Sequence, residues 1–104
     1  MKVLWISKEV RRLLRIIDHK SDKAVRKALN ELFKGGVVVD PPIEHSQPLH
    51  QLRLNDETWD QLMKAKYILQ YRSANSLLLD ACVVFLLKHG VCRECVEIIA
   101  KLED

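Results

Sequence analysis

The chain has 104 residues, 48% hydrophobic and 30% charged, with three Gly and three Pro, a balance that excludes disordered, collagen-like and low-complexity classes. Its longest apolar stretch, Leu77 to Leu87, is about half a membrane span and carries Asp80, which excludes an integral membrane protein. The net charge of +3 divides unevenly, with ten Lys/Arg against four Asp/Glu in residues 1–36 and seven against ten in residues 37–104. A basic first half either faces an anionic partner, of which nucleic acid is the commonest, or is a solvated helix face.

In chain order, Lys2–Ile6 reads as a short strand. Ser7 is a plausible N-cap for a helix running to about Lys20, with Val10, Leu13, Leu14 and Ile17 on one face. Ser21 or Asp22 caps a second helix to about Lys34, apolar at Val25, Ala28, Leu29, Leu32 and Phe33. Gly35-Gly36 ends that pattern, the extended run Val37–Val39 is stopped by Pro41-Pro42, and residues 37–48 read as a linker. Leu49–Leu54 is again strand-like. Asn55 caps a helix from about Asp56 to Tyr71, with Trp59, Leu62, Met63, Lys66 and Leu69 near one stripe. Ser73 or Ser76 then opens an almost wholly apolar helix to His89, which must be covered on several sides. After Gly90, Val91 to Leu102 forms a last amphipathic segment whose stripe is Val91, Cys95, Ile98, Ile99 and Leu102.

The order strand, helix, turn, helix thus occurs twice. Shifting the first block by 48 positions puts Leu4 on Leu52, Ile6 on Leu54, Glu9 on Glu57 and Leu14 on Leu62. Shifting its second helix by 54 puts Asp22 on Ser76, Ala24 on Leu78, Val25 on Leu79 and Phe33 on Leu87, so the second block has a longer first helix or turn. The organisation read from this is a basic first unit (1–36), a linker (37–48), a second unit (49–90) and a C-terminal helix (91–104).

The run Gln51-Leu52-Arg53-Leu54-Asn55-Asp56-Glu57-Thr58-Trp59-Asp60-Gln61-Leu62, followed by Arg72-Ser73-Ala74-Asn75-Ser76-Leu77-Leu78-Leu79, resembles a ribbon-helix-helix domain of the Arc, MetJ and CopG superfamily. The likeness covers about 38 residues there and, more weakly, about 33 in the first block. It implies an obligately paired fold, because one strand and two helices cannot bury their apolar face alone. With both blocks of this kind it implies a tandem pseudo-dimer, mainly α, whose short two-stranded antiparallel ribbon joins strand 2–6 to strand 49–54; with the second block alone, two chains pair through 49–54 and the first block is an appendage.

The resemblance further implies a double-stranded DNA partner. Outward ribbon side chains would enter the major groove, which is wide enough for a two-stranded ribbon, and helix N-termini would hold phosphates. Period-two alternation turns Leu52 and Leu54 inward and Gln51 and Arg53 outward, where Arg pairs with guanine and Gln with adenine. The same parity turns Val3 and Trp5 outward in the first strand. Neither hydrogen-bonds a base edge, so either Trp5 meets thymine methyls or sugars, or the ribbon face is covered by protein. The phosphate positions implied are Ser73, Ala74 and Asn75, with Ser21, Asp22 and Lys23 in the first block. Of the remaining cations, Lys20, Lys23 and Lys27 fall nearest DNA, whereas the first helix, with Arg11, Arg12 and Arg15, lies away from the groove.

Other constellations point to little chemistry. His89-Gly-Val-Cys92-Arg-Glu-Cys95 has the spacing of half a zinc site, yet no second Cys pair completes four ligands, and Cys82 and Cys95 read as core. The four His have no triad or ligand spacing and no Gly-rich phosphate loop is present, so neither an enzyme nor a cofactor or metal is expected. An odd number of cysteines and a charged N-terminus without a signal core suggest a reducing, cytoplasmic compartment. The apolar helix 77–87 also leads to the expectation of a homo-oligomer, a dimer of pseudo-dimers. The reading is a DNA-binding transcriptional regulator, a repressor or an accessory of DNA transactions. Its rival is a protein-interaction module of the same fold, an antitoxin or assembly factor.

Overall fold

Two segments in which aliphatic side chains alternate with exposed ones form the one sheet among the described residues. In the computed structural model, which describes residues 2–35 and 44–102, β1 (Lys2–Ile6) runs antiparallel to β2 (His50–Leu54). The register sets Lys2 opposite Leu54, Val3 opposite Arg53, Leu4 opposite Leu52, Trp5 opposite Gln51, and Ile6 opposite His50. Alternation buries Ile6, Leu52 and Leu54, half-buries Leu4, and leaves Val3, Trp5, Gln51 and Arg53 on the outer face.

An isolated two-stranded ribbon is marginal in water, so its stability comes from the helices beneath it. These are α1 (Lys8–Ile17), α2 (Ser21–Phe33), α3 (Asp56–Ile68), α4 (Ala74–Lys88) and α5 (Arg93–Lys101). Ser7, Asn55 and Ser73 cap α1, α3 and α4, each side-chain oxygen accepting from the backbone N–H three residues on. Lys20 occupies the cap position of α2 without a side-chain bond, so Ser21 and Asp22 are the first two helical residues rather than caps.

Helix ends differ from the sequence reading by a few residues, for local reasons. Helix α1 stops at Ile17 rather than Lys20 because Asp18 is extended and its Oδ1 accepts from the Lys20 N–H at 2.9 Å. Helix α3 stops at Ile68 rather than Tyr71. Gln70 takes a left-handed φ of 60°, while the N–H groups of Gln70 and Tyr71 close back on the carbonyls of Tyr67 and Lys66. Gly90, at φ 88°, ends α4 in the same way, with the Gly90 and Val91 N–H groups donating to Leu87 and Leu86.

The second unit is longer in both places the sequence left open. Helix α3 has 13 residues against 10 in α1, and five residues (69–73) rather than three (18–20) lead into the next helix. The offset between units therefore rises from 48 at the strands to 53 at the second helices, not 54. An offset of 53 aligns three buried apolar pairs, Ala24 with Leu77, Val25 with Leu78 and Ala28 with Ala81, and sets Asp22 against Asn75, each of which accepts from the N-cap N–H of a first helix, Asn55 and Ser7 respectively. Helices α2 and α4 make the principal packing of the core, and the fully buried Ala24, Ala28 and Ala81 allow that close approach.

One hydrophobic cluster runs through both units, including Ile6, Val10, Leu14, Val25 and Leu29 from the first and Leu54, Leu62, Leu78 and Cys82 from the second. Leu54 is fully buried, and truncating such a leucine to alanine costs about 2–5 kcal/mol. Helix α4 touches α1, α2, α3, α5 and β1 of its own chain. Its apolar girth is thus covered within the chain and does not require a second copy.

Two stripes are corrected. In α3 the buried residues are Thr58, Leu62 and Ala65; Trp59, Met63 and Lys66 are half-buried and Leu69 is exposed. In α5 the buried residues are Val96 and Ala100, with Val91 and Ile99 half-buried, while Cys95, Ile98 and Leu102 face outward. Cys95 is not core: it is disulfide-bonded to Cys92, so free thiols throughout are not what the structure contains. Cys82 is the free, buried cysteine. Of the 37–48 linker, residues 37–43 lie outside the described residues. Ser46, in the described part, donates through its N–H and its hydroxyl to the Glu9 carboxylate at 2.9 and 3.0 Å.

Candidate nucleic-acid interface

The outer ribbon face carries four exposed side chains, arranged around a centre at the Leu4–Leu52 pair. Because Leu4 and Leu52 are also equivalent positions of the two units, a local two-fold passes between them. It exchanges Val3 with Gln51 and Trp5 with Arg53. One end of the ribbon therefore presents Arg53 beside Val3, and the other presents Gln51 beside Trp5. Trp5 is 53% exposed and Val3 44%, so neither has been drawn into the core.

Two crossed hydrogen bonds fix the second helices to the ribbon. The Ser7 N–H, just past β1, donates to Asn75 Oδ1 at 2.7 Å. The Asn55 N–H, just past β2, donates to Asp22 Oδ1 at 2.9 Å. Each joins the N-cap residue of one unit's first helix to the second residue of the other unit's second helix. Antiparallel strands end at opposite ends of the ribbon, so Asp22 of α2 is held just past Leu54 and Asn75 of α4 just past Ile6, while Ser21 also shares a hollow with Ile6, Gln51 and Leu52. Each helix start carries the free N–H groups and positive dipole end that favour an anion.

The residues named from the sequence are thus brought to one side, but not all with free side chains. Ser21 and Ser73 are half-buried at the two helix starts and Lys23 is exposed. Ala74 is buried and offers its backbone alone. Asn75 is 4% exposed, with its amide oxygen held by Ser7 and its nitrogen 3.3 Å from His45 Nδ1, so its side chain is a structural bracket. Asp22 has the same role at the other end, and its negative charge does not suit a phosphate contact. Arg26 is turned inward to Thr58 Oγ1 at 3.0 Å and Glu57 at 3.2 Å. Lys27 pairs with Asp18 at 2.9 Å.

Sequence reasoning missed two participants. Arg11, assigned to a helix remote from the groove, reaches the ribbon: its guanidinium donates to His50 Nδ1 at 3.3 Å, at the Gln51/Trp5 end. The crossed brackets were missed because they need the offset of 53, although two N-caps, Ser7 and Asn55, lying 48 residues apart hinted at equivalence.

Two acids show what the surroundings do to charge. Burial pushes the Glu9 carboxyl up, but the Ser46 N–H and hydroxyl, its own backbone N–H and nearby Lys8 together hold it below its ordinary value. Asp18, hydrogen-bonded by Lys27 and the Lys20 N–H, is lowered to about 2. Both stay ionised, so the basic first unit keeps internal counter-charges. Among the described residues no group of three or more metal-ligating side chains occurs, and no helix is long and apolar enough to cross a membrane. Comparison with protein-family models, with curated proteins and with solved structures found no match.

Proposed function

We propose that the chain is a double-stranded DNA-binding protein built as two ribbon-helix-helix units in tandem, acting as a regulator or accessory of DNA transactions. The observation that carries this reading is the antiparallel ribbon with Val3, Trp5, Gln51 and Arg53 on its open face and a helix N-terminus at each end. A two-stranded ribbon matches a major groove about 12 Å wide. Arg53 and Gln51 are suited to guanine and adenine edges, and the helix starts at Ser21 and Ser73 to the flanking phosphates. One chain supplies both halves, so a second copy is not needed to complete the ribbon.

The test is fluorescence anisotropy on a labelled random-sequence duplex across a salt series. Binding should fall steeply with salt, and Lys23→Ala should weaken all duplexes alike while lowering the salt slope by about one unit. No binding at low salt would overturn the proposal. A second reading has one observation in its favour: Val3 and Trp5 leave exposed apolar area on the ribbon face. In that reading the face docks on a protein partner, as in an antitoxin or assembly factor. Trp5 emission would then be unmoved by DNA.

A further inference from the structure

The two ends of the ribbon are equivalent in backbone and different in chemistry. Resting on the major-groove reading above, we infer that one chain recognises a duplex site without dyad symmetry, Arg53 reading one end and Gln51 the other.

A symmetric dimer reads a palindrome because identical side chains occupy two-fold-related places. Here the local two-fold between Leu4 and Leu52 relates Arg53 to Trp5 and Gln51 to Val3. Both strands keep the backbone of a reader, yet both base-bonding side chains lie on β2. Each ribbon end receives one of them, with an apolar neighbour from β1: Val3 beside Arg53, Trp5 beside Gln51. Two residues along a strand span about 6.8 Å, and base pairs rise about 3.4 Å, so the two readings fall about two steps apart. Arg53 forks onto the O6 and N7 of guanine, whereas Gln51 bridges the N6 and N7 of adenine.

The flanks repeat the difference. Past Arg53 the bracket is the Asp22 carboxylate, followed in α2 by the exposed Lys23. The Gln51 end has Ser73 at the α4 start, the neutral Asn75 as bracket, and Arg11 on His50. Charge as well as base chemistry therefore differs between the halves.

The experiment is selection of preferred duplexes from a randomised library with the full chain. Native mass spectrometry then identifies the shortest duplex that carries one chain. The expected consensus for one chain has no two-fold symmetry and contains a G·C and an A·T pair about two steps apart. Arg53→Ala should relax the first alone and Gln51→Ala the second alone, each by about five- to 150-fold. The exposed pair Val3→Gln/Trp5→Arg makes the two strands alike, and should turn the consensus into a palindrome. A palindromic consensus for one wild-type chain, or either alanine relaxing both positions equally, would overturn the inference and leave groove binding standing. Salt-dependent binding without any consensus would overturn it too. Absence of binding would remove the underlying reading with it.

Discussion

The crossed brackets make a prediction with an internal control. Asn75→Ala removes the acceptor from the Ser7 N–H, whose residue is 0% exposed and whose bond is 2.7 Å. A buried donor left without a partner costs about 1–3 kcal/mol, and the better helix propensity of alanine returns up to about 0.7. With the full return the net loss is about 0.3–2.3 kcal/mol, or a fall in melting temperature of roughly 1–18 °C for a domain of this size. Asp22→Ala removes the equivalent acceptor from the exposed Asn55, where water replaces it, and should cost less than about 1 kcal/mol. Asn75→Asp, which copies the Asp22 bracket, should recover part of the loss because an acceptor is restored. Urea unfolding followed by tryptophan fluorescence measures all three, with the midpoint expected to move at constant slope. If Asn75→Ala unfolds like the wild type, or Asp22→Ala is the more damaging, the bracket is not what holds α4 to the ribbon.

The titrating groups give two predictions of opposite sign. Glu9 and Asp18 have folded pKa values below their ordinary 4.5 and 3.8, so their stabilisation is complete above those values and is lost as pH falls through the folded ones, about 2 for Asp18. Acid unfolding by circular dichroism should be shallower in this window for Glu9→Gln/Asp18→Asn, and an unchanged slope would refute the assignment. Asp80 goes the other way: burial raises its carboxyl despite the bond from the Tyr71 hydroxyl at 2.6 Å, so its contribution is present at low pH and lost as pH rises through the folded value. Asp80→Asn keeps an acceptor for Tyr71 and removes a half-buried charge. At pH 7 it should therefore be at least as stable as the wild type, and a loss of more than about 1 kcal/mol would count against this account. Burial also pushes the Cys82 thiol up, so after mild reduction an alkylating reagent should add to Cys92 and Cys95 while Cys82 reacts only in denaturant, read by intact mass.

Much of the architecture was legible because it follows from local chemistry. Alternation in Leu52-Arg53-Leu54 gave the strand face, and Ser7, Asn55 and Ser73 announced three helix starts. Helix ends were less legible, since the stop of α3 depends on Gln70 entering a left-handed conformation that sequence assigns to glycine. The stripes of α3 and α5 were misread for a related reason. Their large apolar residues Leu69, Ile98 and Leu102 are exposed, while small Ala65 and Ala100 are buried where helices pack closely. Hydrophobicity alone points to the larger side chains; close packing selects the smaller ones. Of the interface, the four ribbon side chains were readable from parity, whereas the roles of Asn75 and Asp22 were not. Their polar character suits a phosphate site and a hydrogen-bonded bracket equally, and the bracket partners lie 68 and 33 residues away.

Two units joined in one chain need not carry the same side chains at equivalent positions. In a dimer of identical chains, each substitution appears twice, so a change that suits one end of the ribbon is imposed on the other. A covalent connection removes that constraint and keeps the second unit at high effective concentration. The equivalent pairs Leu4/Leu52, Ile6/Leu54, Leu14/Leu62 and Ala28/Ala81 are apolar in both members, which face the shared core. The pairs Val3/Gln51, Trp5/Arg53, Lys20/Ser73 and Asp22/Asn75 differ, and all lie on the ribbon face or at the helix starts beside it. Within the helices too the pairs differ: Leu13 is buried and Gln61 exposed, and fully buried Val10 answers to fully buried Thr58. Likeness between the units is therefore a matter of particular core positions, where two apolar side chains meet, and is absent from the ribbon face, where no packing partner demands it.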